Sequence, residues 1–169
     1  MAIHGPADGE VTPLPAASFE EFFEEHKDRL FGVMYMMTAD PHDAEELAQE
    51  ALLKMWERWD SVGRIADPSA YVYRVAVNAF RKRVRRAEVA RRLTRRVTST
   101  PHVPDPGDSL LLDEALRGLT PRQRAAIVLT ELLGYTAVEA AAALGVKPST
   151  IGALKYQARA ALKGGPADG

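Results

Sequence analysis

The chain has no cysteine, so neither a disulfide framework nor thiol chemistry is open to it. That absence fits a cytoplasmic chain, the expected location. No apolar run approaches the roughly 20 residues a membrane span requires. The histidines His4, His26, His42 and His102 are scattered without metal-ligand spacing. Paired carboxylates, a nucleophile–base set and a glycine-rich phosphate loop are also missing. Catalysis by the chain itself, a bound metal and a cofactor are therefore not expected. The first 17 residues lack the basic and apolar segments of a secretory signal, and their Gly, Pro and Ala content reads as a flexible leader. Strand alternation and internal repeats are absent as well.

What the chain does have is charge, unevenly placed. The totals nearly cancel, 22 Lys+Arg against 23 Asp+Glu. Yet residues 1–60 are strongly acidic, with only Lys27, Arg29, Lys54 and Arg58 basic. Residues 71–96, YVYRVAVNAFRKRVRRAEVARRLTRR, gather close to half of the arginine and lysine into one predicted helix. After it, 101–169 is near balance. A neutral chain segregated in this way grips a polyanion with one element and keeps an acidic face for another partner. The 46% hydrophobic and 27% charged composition over 169 residues suits one or two small soluble domains.

The order of elements is helical throughout. Residues 19–38 place Phe19, Phe22, Phe23, Leu30, Val33, Met34 and Met37 at helical spacing, with Ser18 as cap and Glu20 and Glu21 in the first turn. Pro41 ends that run. A second helix over 41–59 turns Ala44, Leu47, Ala48, Ala51, Leu52, Met55 and Trp56 inward, so Trp56 is expected in the core. Its outer stripe is Asp43, Glu46, Glu50 and Glu57, with Gln49 beside it. Residues 63–68 form a loop, and Asp67-Pro68-Ser69 opens the basic helix. At 100° per residue Arg74, Asn78, Arg81, Arg85, Arg92 and Arg96 share a stripe of roughly 60°. Val72, Val75, Ala76, Ala79, Ala90, Leu93 and Val97 lie opposite, for a core. Around Arg83, Arg85 and Arg86 charge surrounds the helix, which predicts that it projects beyond the core there.

Residues 98–108 are a proline-rich polar linker. Beyond it, 110–119 is helical, Thr120 to Gln123 is a capping box with proline at the first helical position, and that helix continues to about residue 133. Thr136 with Glu139 forms another capping box. The segment AVEAAAALGVKPSTIGALKY, 137–156, has the plan of a helix-turn-helix: small Ala141 at the helix contact, Gly145 at the turn where φ is positive, and Val146, Ile151 and Leu154 as apolar anchors. The second helix, about 149–163, would face a major groove with its N-terminal residues. The fold class is all-α: two small helical domains, 18–97 and 109–164, joined by the linker, with a flexible tail at 165–169.

The combination resembles a known family. AEELAQEAL (44–52), WERWD (56–60), DPSAYVYRVAVNAFRKRVRR (67–86), LTPRQRAAIVL (119–129) and the helix-turn-helix occur in the order found in extracytoplasmic-function (ECF) sigma factors, specificity subunits of bacterial RNA polymerase, and resemble especially the sigma-E-like actinobacterial branch. The resemblance covers about residues 18–163. It implies that 18–97 is sigma region 2 and 109–164 is sigma region 4. Asp43, Glu46, Gln49 and Glu50 then match the helix that docks on the clamp coiled coil of core polymerase, and the flap is a further partner surface. A carboxylate stripe beside an amide suits such a basic helical partner. Trp59 and the loop 62–67, with Arg64, match the part that helps open the downstream (−10) element. Arg74, Asn78, Arg81, Lys82 and Arg85 match the helix that contacts it, where cations replace lost stacking with phosphate contacts. The helix-turn-helix matches the module for the upstream (−35) element, and an anti-sigma factor is an implied partner.

One departure carries weight. Where the family usually has Lys, Ser and Arg, this chain has Gly152, Ala153 and Leu154, and it has Gln157 where Arg recurs. Only Lys155, Arg159 and Lys163 remain basic. Fewer phosphate contacts reduce counterion release. A weak or unusual upstream contact through Ser149, Thr150, Tyr156 and Gln157 is the expectation. Two other readings stay open from the residues: a dimeric stand-alone helix-turn-helix regulator, and a sigma-like interaction protein that no longer reads DNA. Trp59 could serve either packing or function.

Overall fold

Ser18 starts the first helix as expected, its hydroxyl accepting the Glu21 amide while the Glu21 carboxylate accepts the Ser18 amide. The computed structural model describes residues 17–94 and 110–164; among them every regular element is helical. The helix α1 (Phe19–Thr38) stops where Ala39 takes a left-handed φ of 53°, and the next residue, Asp40, caps α2 (Pro41–Glu57). So short a connection folds α1 and α2 into a hairpin. A break at Arg58 separates α2 from the short α3 (Trp59–Val62), so the helix expected over 41–59 is two pieces. Asp67 then caps α4 (Pro68–Leu93) by accepting the Ala70 amide. Leu30, Met34, Met37, Leu47, Met55, Val72 and Val77 are fully buried where α1, α2 and α4 meet. Each such side chain contributes about 1.5–3 kcal/mol by leaving water.

The second group comprises α5 (Leu110–Arg117), α6 (Pro121–Ile127), a π-helix (Val128–Leu132), α7 (Ala137–Leu144) and α8 (Pro148–Lys163). Both expected capping boxes, Thr120 with Gln123 and Thr136 with Glu139, are formed. The single helix expected from Pro121 to about 133 widens instead at Val128. Leu133 N–H bonds the Val128 carbonyl, and the Thr130 hydroxyl competes for the Ala126 carbonyl at 2.8 Å. Gly145 adopts φ 67° between α7 and α8. Ala141, Ile151 and Ala158 are buried around that turn, with Val146 and Leu154 packed against them.

The two groups share one continuous core rather than standing apart. Helix α1 packs on α6 and α4 packs on α7. Arg124 of α6, only 7% exposed, donates from Nε to the Met37 carbonyl (2.8 Å), from Nη1 to Leu116 (2.8 Å) and Leu119 (2.7 Å), and from Nη2 to Thr38 (3.2 Å). It thereby satisfies carbonyls left open at the C-terminal ends of α1 and α5. Burial lowers its pKa to about 10, so it stays charged at neutral pH. Beside it the Tyr35 hydroxyl donates to Asp113; burial, then that hydrogen bond, pushes the phenol up to about 12.

Three sequence expectations change here. Trp56 is 59% exposed, because α2 breaks at Arg58 and, among the described residues, no element packs over its end on that side. Ala90 is exposed and Leu93 is 82% exposed, so the apolar side of α4 is covered only as far as Phe80 and Val84 among the described residues. Arg83 does not stand clear of the core but bridges to α2; projection begins beyond it, at Arg85 and Arg86. The leader before Ala17, the linker, the tail, Arg96 and Val97 lie outside the described residues.

Candidate functional site

The acidic residues occupy the outer face of α2. Glu46, Gln49 and Glu50 are exposed and Asp43 is half-buried. Arg83 of α4 reaches two of them, Nη1 to Asp43 Oδ1 at 2.7 Å and Nη2 to Glu46 Oε2 at 2.6 Å. At 100° per residue Arg83 lies about 180° round α4 from the Arg74 stripe. One helix thus sends most of its cations outward and one back onto the acidic face. The hydrogen bond from Arg83 holds the Glu46 carboxyl below its ordinary value of 4.5. Farther along, Glu50 pairs with Lys54 (2.8 Å) and Gln49 donates to Glu45 (3.2 Å), both within α2. The Arg83 fork was not singled out from the sequence, although its position opposite the stripe was the available signal.

On the other side of α4, Arg74, Asn78, Lys82 and Arg85 are exposed, and Arg81 is half-buried. Arg81 lies under the turn of the second group: a β-carbon at Gly145 would sit 3.6 Å from three of its guanidinium atoms. A cleft of about 460 Å³ follows, where Arg81, Arg85 and Arg92 are joined by Arg122, itself paired with Glu88 at 3.1 Å. A larger groove of about 1020 Å³ runs between Arg58, Tyr71, Arg74 and Asn78 on one wall and Leu133, Tyr135 and Glu139 on the other. Arg122 joins the cationic cleft only through the packing of the two groups, which no local pattern marks.

Trp59 stands apart from this stripe. Its ring packs edge-on to Phe19 and tilted to Phe22, and its Nε1 donates to the Ala17 carbonyl at 3.2 Å. Gly63 makes room, since a β-carbon there would come within 2.8 Å of the indole. Arg64 is exposed on the turn that follows α3.

In α8, Ser149, Tyr156, Gln157 and Arg159 are exposed, and Thr150 and Lys155 are half-buried. Both mid-helix cations are already engaged: Lys155 and Arg159 each sit 2.8 Å from Glu131 of the π-helix. Hydrogen bonding and charge from Lys155, with Arg159 adding to them, hold Glu131 below its ordinary value. The described residues include one group of possible metal ligands, Asp40, His42 and Asp43, within 4.8 Å of one another. Asp40 accepts the Asp43 amide as the cap of α2 and Asp43 pairs with Arg83, so helix capping and an ion pair account for the grouping.

The chemistry on offer is recognition: a carboxylate–amide face on α2, an arginine face on α4, and a helix-turn-helix whose two mid-helix cations in α8 are both paired with Glu131. Residues 22–97 match the family described as Sigma-70 region 2, and residues 109–162 match Sigma-70, region 4. The chain is similar to the RNA polymerase sigma-E factor of Streptomyces avermitilis, 32% identical over 168 residues, covering 93% of this chain and 87% of that one. The corresponding Streptomyces coelicolor protein is 31% identical over 150 residues, covering 86% and 84%. In fold the chain is similar to the sigma factor RpoE of Bartonella quintana, solved in complex with the anti-sigma factor NepR. That TM-score is 0.63 at 24% identity, covering 86% of this chain and 94% of the other.

Proposed function

This chain belongs to the sigma-70 family, in its extracytoplasmic-function group, and from that premise we propose how its faces divide the work. As an ECF sigma factor it binds core RNA polymerase and directs promoter recognition, DNA opening and the start of transcription. Phosphodiester synthesis belongs to the polymerase, so the chain acts as a specificity subunit, in the cytoplasm and on the nucleoid once bound.

In this reading Asp43, Glu46, Gln49 and Glu50 seat the chain on a basic helical surface of core. Arg74, Asn78, Arg81, Lys82 and Arg85 follow the downstream element as it opens, with Trp59 buttressing α3 so that Arg64 is presented to the strand. Ser149, Thr150, Tyr156 and Gln157 face the upstream duplex, while Lys155 and Arg159 flank them. The carrying observation is that α2 and α4, packed against each other, expose opposite charges on separate outer faces. One partner can then be held by carboxylates while another is held by guanidiniums.

An anti-sigma factor fits the same picture. The groove between Arg74, Asn78 and Tyr135 offers such an inhibitor a seat against residues that DNA needs. Run-off transcription with purified core polymerase tests the function. Transcripts that require this chain support it; failure to join core or to start any transcript refutes it.

A further inference from the structure

Building on the reading of α8 as the helix that faces the upstream duplex, we propose that this chain selects an upstream element of A·T pairs and reads no guanine there. Helix α8 turns Ile151, Leu154 and Ala158 into the core. Its opposite face presents Ser149, Gly152, Ala153, Tyr156, Gln157 and Ala160, all exposed and none of them charged. Guanine shows the major groove two acceptors, N7 and O6, and the usual reader is a bidentate Arg or a Lys. The cations that α8 does carry are elsewhere. Lys155 and Arg159 turn aside to one carboxylate, Glu131, at 2.8 Å each. Lys147 precedes the helix at its N-cap and Lys163 ends it, so neither lies within the exposed stretch from Ser149 to Ala160.

What remains suits adenine and thymine. The Gln157 amide offers both the donor and the acceptor that adenine N7 and N6 require. Its hydrogen-bond partner is Gln123, whose Nε2 donates to Gln157 Oε1 at 3.4 Å, a contact that uses one lone pair of that oxygen and none of the Gln157 amide protons. Gln123 is itself fixed, because its Oε1 accepts the Thr120 amide in the capping box, so Gln157 is oriented from α6. The Thr150 methyl, the Ala153 β-carbon and the Tyr156 ring, 77% exposed, provide apolar contact for thymine methyl groups.

Holoenzyme assembled from the full chain and a bacterial core polymerase tests this on templates randomised across the whole promoter, with transcribed templates sequenced. The expected result is A·T over G·C enrichment of about tenfold or more at the upstream positions, the range that base contacts discriminate. Guanine enrichment there, or a flat upstream region beside a selected downstream element, overturns the proposal and leaves the sigma function standing. A reaction without transcripts overturns the function and the proposal together. A second measurement uses Gln157→Arg, an exposed position whose folding is checked by its thermal midpoint. The variant should shift one upstream position toward G·C by about tenfold. An unchanged upstream preference in that folded variant counts against Gln157 as a base reader and overturns its part of the proposal.

Discussion

Two glycines in the helix-turn-helix show how one substitution takes opposite signs. Gly145 holds φ 67°, where a side chain is strained, and its missing β-carbon faces the Arg81 guanidinium. Gly152 sits inside α8 with nothing within 4 Å of a β-carbon. Gly145→Ala should therefore destabilise by about 1–2 kcal/mol, and Gly152→Ala should stabilise by about 0.8–1 kcal/mol, both read by urea unfolding. Equal signs would contradict the assigned turn. Arg83 supplies a pH test at the same scale. Glu46 has its carboxyl pKa depressed in the folded chain, so its contribution is present above the unfolded value of 4.5 and disappears as pH falls through the lower folded value. Arg83→Met should lower the thermal midpoint at neutral pH, with the gap to the parent narrowing below pH 4.5. A gap constant with pH would contradict a contribution from the pairing of Arg83 with these carboxylates.

At the scale of the element, caps and faces were legible in the sequence because they are local. Ser18, Thr120 and Thr136 start helices where their partners stand three residues on, and the Arg74 stripe follows from helical spacing alone. The failures have nonlocal causes. Trp56 shares the stripe of Leu52 and Met55, but α2 breaks at Arg58 and none of the described residues covers it. The π-helix shifts backbone bonding from fourth to fifth neighbours, with Leu133 N–H on the Val128 carbonyl, a choice that an apolar pattern does not record. That π-helix also positions Glu131 to hold Lys155 and Arg159, 24 and 28 residues away in sequence. Glu131→Gln should free both cations for phosphate. The plot of log binding constant against log salt for a promoter fragment should then steepen by up to about two contacts, roughly 0.9 in slope for each. A slope identical to the parent's would show that these side chains cannot reach the backbone.

At the scale of the whole molecule, the order of motifs disclosed two helical groups and a family, yet not that the groups dock. The reason is visible at Arg124, whose four acceptors are backbone carbonyls of α1, of α5 and of the residues beside them; no residue type marks such partners. Arg124→Met leaves those buried carbonyls open and should cost about 2–4 kcal/mol. Arg124→Lys should recover little, since an ammonium lacks the planar fork that spans them. Urea unfolding checks both, and a neutral Arg124→Met would contradict the clamp. Docking also explains why Arg81 is half-buried: the turn at Gly145 covers part of the arginine face that we propose meets DNA.

The division of charge between α2 and α4 is tested most directly by the affinity of the chain for core polymerase after Glu46→Gln and Glu50→Lys are combined. Glutamine at 46 avoids setting a cation at the Arg83 fork, and the ion pair that Glu50 makes among the described residues is with Lys54 of α2. Loss of core affinity by about a hundredfold or more, roughly 2.7 kcal/mol, in a chain that keeps its fold and its arginine face, is the predicted result. Full affinity in that variant would contradict the assignment of the acidic face, and with it the account of how this chain is seated on its polymerase.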